Sequence, residues 1–428
     1  MNKHVLQVFE HKILKVDENG PFKMKHFLAL EKYGYKTKEK YYSVGNKRIK
    51  FCNYVGAIQV DNLTIEILPK ADFEEGNEEN TQKWHDALLS MLRECKLIKL
   101  DAISNAKLKL RSASILDLYY DYFLTQTERI LKRGLQKRYR QVQENLKKVK
   151  GKIVFTQHIR KNAFHKEQFL VEHQLYDVNN RFNQILFKAL MILSKITNNP
   201  DYIVRIKKLL LNMEDISEKN ITASWFDNLT FNRNTERYRE ALMLAKLIIL
   251  RYSPDLKGGN ENVLAILFDM NTLYENYIYR KLKVIQNDPD IPVTRVTEQN
   301  RKPFWESRGI RADIVVETED RNIVIDTKWK ILKDSKPSDP DLKQMFVYNL
   351  YYDSDLSILL YPKTSLETID KKPFRHELFQ DKHCQVAFVD LFDEENKLRK
   401  DLGPLLYHQL VENEINVEYN SSFLTVNS

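Results

Sequence analysis

Residues 311–330 read RADIVVETEDRNIVIDTKWK, and this stretch constrains the chain more than any other. It predicts two strands, Ala312 to Thr318 and Ile323 to Trp329, around a polar turn of Glu319-Asp320-Arg321-Asn322. β-Branched residues fill both runs and turn residues part them, which is the pattern of a hairpin. Ile323-Val324-Ile325 is a continuous apolar run, as expected of a strand covered on both faces. Charges set into such a strand need a reason, because burying an unpaired charge is costly. Side chains alternate along a strand, so Asp326 and Lys328 share one face and Thr327 takes the other. An antiparallel partner brings Asp313 close to Asp326. Two carboxylates at ~4 Å repel by about 4 kcal/mol at an effective dielectric near 20, and a cation between them removes that cost. Mg²⁺ takes one or two carboxylates, several waters and a substrate phosphate. With Lys328 beside them, these are parts for metal-assisted phosphodiester hydrolysis. The same three residues also fit an edge hairpin with a surface salt bridge between Asp326 and Lys328.

Asp313, twelve intervening residues and Asp326-Thr327-Lys328 resemble the PD-(D/E)xK nuclease motif, with Ala312 where that motif often has Pro. That Pro shapes a turn and supplies no ligand, so the departure is minor.

A chain of 428 residues is expected to divide into two or three domains, and its apolar content of 43% suffices for ordinary cores. The net charge of +9 favours an anionic partner. Cys52, Cys95 and Cys384 are too widely spaced for a zinc site or a disulfide framework, which points to a reducing compartment. The N-terminus lacks the apolar core of a signal peptide, and no apolar run is long enough to span a membrane. The expected compartment is therefore the cytoplasm, with no membrane partner.

The pattern predicts a multidomain α+β protein with boundaries near 110 and 258. Residues 1–110 are read as β-rich. Strands are expected at Val5–Phe9, Tyr41–Val44, Arg48–Phe51, Val55–Val60 and Leu63–Leu68, with Gly45-Asn46 and Asp61-Asn62 as turns. A helix follows from Trp84 to Cys95. Residues 111–258 are read as helical: one helix from Ile115 continuing toward Tyr139, then Arg181–Thr197 and Thr235–Tyr252. Between Lys132 and Lys152 lie nine Lys or Arg and one acidic residue, Glu144. This segment is either a solvated helix face or a contact surface for phosphates or an acidic partner. Lys132, Arg133, Lys137, Arg138 and Arg140 are its candidate DNA contacts, joined by Lys330 beside the hairpin. Residues 259–428 are read as an α/β core: a helix Leu264–Leu282, a strand Ile291–Val296, the hairpin, a helix Leu342–Tyr352, and strands Ser357–Tyr361 and Gln385–Val389. The flanking helices carry Glu275, which could orient a metal-bound water, and Gln344, which could contact a phosphate. Each also fits a helix-surface residue without a role.

Taken together, the chain resembles the McrC family, the nuclease subunits of McrBC modification-dependent restriction systems. The resemblance is carried by Tyr54-Val55-Gly56, Ile65-Glu66-Ile67-Leu68-Pro69-Lys70, Gly134-Leu135, Tyr139 and Lys150-Gly151-Lys152. It continues through Leu273-Tyr274-Glu275, Ala312-Asp313-Ile314-Val315, Ile325-Asp326-Thr327-Lys328-Trp329-Lys330 and Gln344-Met345-Phe346-Val347-Tyr348, all in the family's order. It implies a C-terminal PD-(D/E)xK restriction-endonuclease-like core that cuts DNA. Mg²⁺ would be held by Asp313 and Asp326, with Thr327 as a further metal position, and Lys328, Glu275 and Gln344 would complete the catalytic set. It also implies that the N-terminal region docks on a hexameric McrB-like AAA+ GTPase, which binds GTP itself, and that the double-stranded DNA substrate is methylated.

The sequence has no G-x-x-x-x-G-K-[ST] loop, since Gly151-Lys152 lacks the upstream glycine, so nucleotide hydrolysis is expected of a partner. No helix-turn-helix or zinc-finger signature stands out either. Two other readings remain open here. One is a non-cleaving adaptor that activates a partner motor NTPase; the other is a stand-alone repair or junction nuclease.

Overall fold

The computed structural model describes residues 4–70, 78–97, 114–253, 262–286, 288–332, 336–363, 366, 368–375 and 381–409. Within them the chain is a mixed α/β protein with four sheets.

The N-terminal part contributes β1 (His4–Phe9), β2 (Ile13–Lys15), β3 (Tyr42–Gly45), β4 (Arg48–Phe51), β5 (Tyr54–Val60) and β6 (Leu63–Leu68). The small sheet β2-β4-β3 is antiparallel, and its β3–β4 turn falls on Asn46-Lys47 because Gly45 pairs with Arg48. A helix, Met24–Lys36, interrupts a region expected to be mostly β. It buries His26, Phe27, Leu30, Tyr33 and Gly34, a spacing of three and four that marks one helical face. The β5–β6 hairpin forms as expected, with Asp61 in the left-handed region and Val60 paired to Leu63. Both strands are buried along almost their whole length, and β1 joins β6 in parallel.

The next part is helical only in outline. Helices Glu78–Glu94, Ile115–Lys132, Arg181–Ile196, Pro200–Leu211 and Arg239–Arg251 pack into one large core. The helix expected to continue toward Tyr139 stops at Lys132. Gly134 ends it at φ +82°, the left-handed turn that glycine adopts without a Cβ penalty. From there the chain forms β7 (Arg138–Leu146), β8 (Lys152–Ile153) and β9 (Phe169–Asp177), an antiparallel sheet in the order β7-β9-β8. The basic segment is therefore mostly strand and loop.

The division expected at 258 does not follow the strand pairing. β10 (Tyr252–Ser253) and β11 (Val263–Asp269) complete the N-terminal sheet in the order β1-β6-β5-β11-β10. The helix expected from Leu264 to Leu282 does not start there: Leu264–Phe268 belong to β11. A short apolar run carries no period of its own, and here it is a buried strand. The helix begins only at Met270 and runs to Ile285, with Asp269 Oδ1 accepting the Thr272 N–H at 3.1 Å as its cap. Gly56 on β5 sits at φ +132° against this strand, and a Cβ there would lie 2.3 Å from Ile266 O.

After that helix come β12 (Val293–Trp305), β13 (Arg308–Thr318) and β14 (Asn322–Thr327), then the helix Asp339–Tyr351, then β15 (Ser354–Pro362), β16 (Ile369–Pro373) and β17 (His383–Val389). They form one sheet in the order β12-β13-β14-β15-β17-β16. The first three strands are antiparallel, and β14, β15 and β17 are parallel. β14 is covered on both sides: Ile323 and Ile325 enter the large core, while Val324 packs with Met345 and Tyr348 of the crossover helix. Among the described residues, no helix is long and apolar enough to cross a membrane.

Candidate functional site

The site forms where β13 and β14 part. Their ladder runs from Glu317↔Asn322 to Ile314↔Ile325. Beyond it the Asp313 side chain takes the place of a backbone partner. Its Oδ2 accepts the Thr327 N–H at 2.9 Å and the Thr327 hydroxyl at 3.2 Å. Thr327 thus meets Asp313 through its backbone and its hydroxyl, although strand alternation had assigned it to the face away from Asp326. Burial raises the Asp313 pKa, opposed by these Thr327 hydrogen bonds and by the charges of Lys328 and Arg311.

Asp326 is 1% exposed. Its Oδ2 is met by Lys328 Nζ at 2.7 Å, without an aligned hydrogen bond. Its Oδ1 accepts Gln344 Nε2 at 3.3 Å. Burial, reinforced by the Asp313 charge, pushes its pKa up to about 7. Burial acts against the charge on Lys328, but Asp326 raises its pKa on balance. Gln344 also donates to Tyr348 Oη at 2.6 Å, and that hydroxyl donates to Arg311 O at 2.5 Å. The crossover helix therefore fixes both the carboxylate on β14 and the backbone of β13.

Glu275 approaches from the helix Met270–Ile285 on the other side of the sheet. It accepts Gln299 Nε2 at 3.1 Å. Burial first, then the Asp313 charge, raise its pKa to about 7.

One residue of this cluster was not anticipated. Asp341 lies 3.7 Å from Lys328 Nζ and 2.9 Å from Lys330 Nζ. It stands three positions before Gln344, and Ser338 Oγ donates to it at 2.7 Å while capping the helix. The S-x-x-D spacing of a capping box was the available signal.

The basic candidates lie elsewhere. Lys132 and Arg133 sit at the end of the helix Ile115–Lys132, and Lys137 is exposed beyond it. Arg138 lies 4.5 Å above the Phe182 ring, and Arg140 is paired with Asp177 at 2.7 Å. Lys330 is tethered to Asp341.

Asp313 and Asp326 suit a hard cation. Burial raises each carboxylate, and the Asp313 charge raises Asp326 further, a cost that a bound cation would offset. Thr327 adds a third donor. A strand residue directs its N–H and C=O to the same neighbour, so its carbonyl faces β13 with its N–H. Among the described residues, no group of three His, Cys, Asp or Glu side chains is arranged as a metal cluster.

The model of the McrBC 5-methylcytosine restriction system component matches residues 49–362. A chain from the half-complex of the tetradecameric assembly of Thermococcus gammatolerans McrB AAA+ hexamers with bound McrC has the same fold. It aligns at a TM-score of 0.63 and 21% identity, over 94% of this chain and 97% of that one. A chain of the Thermococcus gammatolerans McrBC complex aligns at a TM-score of 0.47 and 22% identity, over 64% of this chain and 86% of that one. No curated protein matches by sequence. With its family match covering most of its length, the chain belongs to the McrBC 5-methylcytosine restriction system components.

Proposed function

We propose that the chain is the Mg²⁺-dependent DNA endonuclease subunit of its restriction system, built on a PD-(D/E)xK core. The observation that carries this reading is the meeting of Asp313, Asp326 and Lys328 at the end of β14. Bound Mg²⁺ would polarise the scissile phosphate and lower the pKa of an attacking water. Asp313, Asp326 and the Thr327 carbonyl are the groups that would hold it. Lys328 Nζ stands beside Asp326, where it would neutralise charge gathering on the phosphate. Gln344 keeps Asp326 in place, and the Glu275 carboxyl, raised to about 7, is suited to exchange a proton near neutral pH.

The partner follows from the relative: the Thermococcus gammatolerans assembly contains McrB AAA+ hexamers with bound McrC. We infer a hexameric AAA+ GTPase partner for this chain too, with GTP bound by that partner and methylated double-stranded DNA as substrate.

The test is plasmid cleavage with Mg²⁺, using methylated and unmethylated DNA, with and without the AAA+ partner and GTP. Wild type should cut only methylated DNA in the full mixture. Asp326→Ala should lower cutting by at least about a thousandfold while leaving partner binding intact; a variant that cuts like wild type refutes the assignment. Cutting by the chain alone supports the stand-alone nuclease. Stimulated partner GTPase without any cutting supports the adaptor.

A further inference from the structure

One buried carboxylate ties the N-terminal sheet to the nuclease motif. Glu10 lies in the turn after β1 and is 1% exposed. Its N–H donates to Leu68 O at 2.9 Å, which continues the β1–β6 pairing. Its Oε1 accepts the Lys70 N–H at 2.8 Å and the Trp329 indole N–H at 2.6 Å, across 319 positions of sequence. Leu68 holds the Glu10 backbone and Lys70 its carboxylate, so the residue is fixed to the end of β6 at both its main chain and its side chain.

Trp329 follows Lys328 directly. Its ring meets Trp84 edge-on at 6.1 Å and lies tilted on Tyr274 at 5.1 Å. Tyr274 in turn precedes Glu275. The indole therefore fills a junction of three segments; Trp329 itself neighbours Lys328, and one of its links, Tyr274, neighbours Glu275. Before Trp329, the Lys328 N–H donates to Leu360 O at 2.9 Å, which anchors the backbone to β15. Beyond that point the indole and the hydrogen bond that orients it hold the chain on the side of the N-terminal sheet, while Lys330 is held to Asp341 at 2.9 Å on the side of the crossover helix. A buried carboxylate that accepts two N–H groups is a far more directional anchor than an apolar contact.

We propose that Glu10 is a positioning residue whose hydrogen bond to Trp329 aims Lys328 at Asp326, so that the N-terminal sheet and the cutting site move as one unit. This role rests on the nuclease reading above. Displacing a catalytic group by about 1 Å costs up to ~100-fold in rate.

The experiment is single-turnover cleavage by the assembled complex at saturating Mg²⁺ and DNA. Trp329→Phe keeps a ring and removes the donor; Glu10→Leu removes the acceptor. Each should slow cutting about tenfold with DNA affinity unchanged. The double variant should also be about tenfold slower, since both changes break one link. Glu10→Gln retains an acceptor oxygen and should recover to within about threefold of wild type. Wild-type rates in both single variants, multiplied losses in the double variant, or no recovery in Glu10→Gln would overturn the proposal. A second readout needs no cleavage. The chain has four tryptophans, so ¹⁵N-indole spectra identify the Trp329 signal as the one lost in Trp329→Phe. Glu10→Leu should shift that signal; an unmoved signal overturns the proposal. Asp326→Ala, run in parallel, separates the two ideas. If it cuts like wild type, the nuclease reading fails. If it is dead while Glu10→Leu cuts at full rate, the positioning role alone fails.

Discussion

Lys328 stands between two carboxylates, Asp326 at 2.7 Å and Asp341 at 3.7 Å, and the second also holds Lys330. Burial opposes the charge on Asp341, but its lysine and serine partners keep its pKa below the usual carboxylate value. Asp326 is the opposite case. Burial lifts it from 3.8 to about 7, so its contribution to stability is largest below pH 4 and is lost as pH rises toward 7. A cation restores what ionisation costs, and protons compete with it. Mg²⁺ should therefore raise the melting temperature of the chain by several degrees at pH 8 and by clearly less at pH 6. Asp326→Asn should abolish the shift. Equal shifts at both pH values, or a shift that survives in the variant, would place the cation elsewhere.

At the scale of elements, legibility followed the strength of the local pattern. The hairpin around Asp326 was readable because β-branched runs flank a polar turn; the crossover helix was expected at Leu342–Tyr352, and its Ser338 cap and Pro340 start it earlier, at Asp339. The four-residue spacing of Gln344 and Tyr348 puts both on one helix face, and the two side chains are hydrogen-bonded. β11 was misread because Val263–Phe268 is apolar at every position and matches either period. The helix Met24–Lys36 was missed although Phe27, Leu30 and Tyr33 share a face. Glu10 was invisible for a different reason: its Trp329 partner is set by tertiary folding, across 319 positions, whereas Asp341 carried a local capping signal in its spacing to Ser338. The basic segment shows how a change of element alters a charge argument. On β7, Arg140 is already paired with Asp177, whereas Lys137, just before the strand, is exposed. If this strand touches phosphates, Lys137→Gln should weaken DNA binding and reduce the salt slope by about 1, and Arg140→Gln should change it less. Titrations of binding against salt decide the matter; unchanged slopes for both assign the strand to protein contacts.

At the scale of the molecule, the N-terminal sheet is completed by a strand from beyond residue 258, and one core runs from Trp84 through Tyr274 to Ile325. Fragments cut at the expected boundary should therefore fail apart and succeed together. Residues 1–258 expressed alone should be insoluble, since β5 loses its β11 neighbour along seven paired positions. Co-expressed with 259–428, they should elute as one complex in size-exclusion chromatography. Two soluble, independent fragments would contradict the sheet order. The same arrangement sets a schedule for synthesis. β5 leaves the ribosome roughly 200 residues before β11, an interval of about 10–40 s at ordinary elongation rates. Throughout it, an apolar strand edge waits without its neighbour and is open to pairing with another nascent chain. Yield in a foreign host should then depend less on the finished protein's stability than on translation speed and on the chaperones that shield that edge.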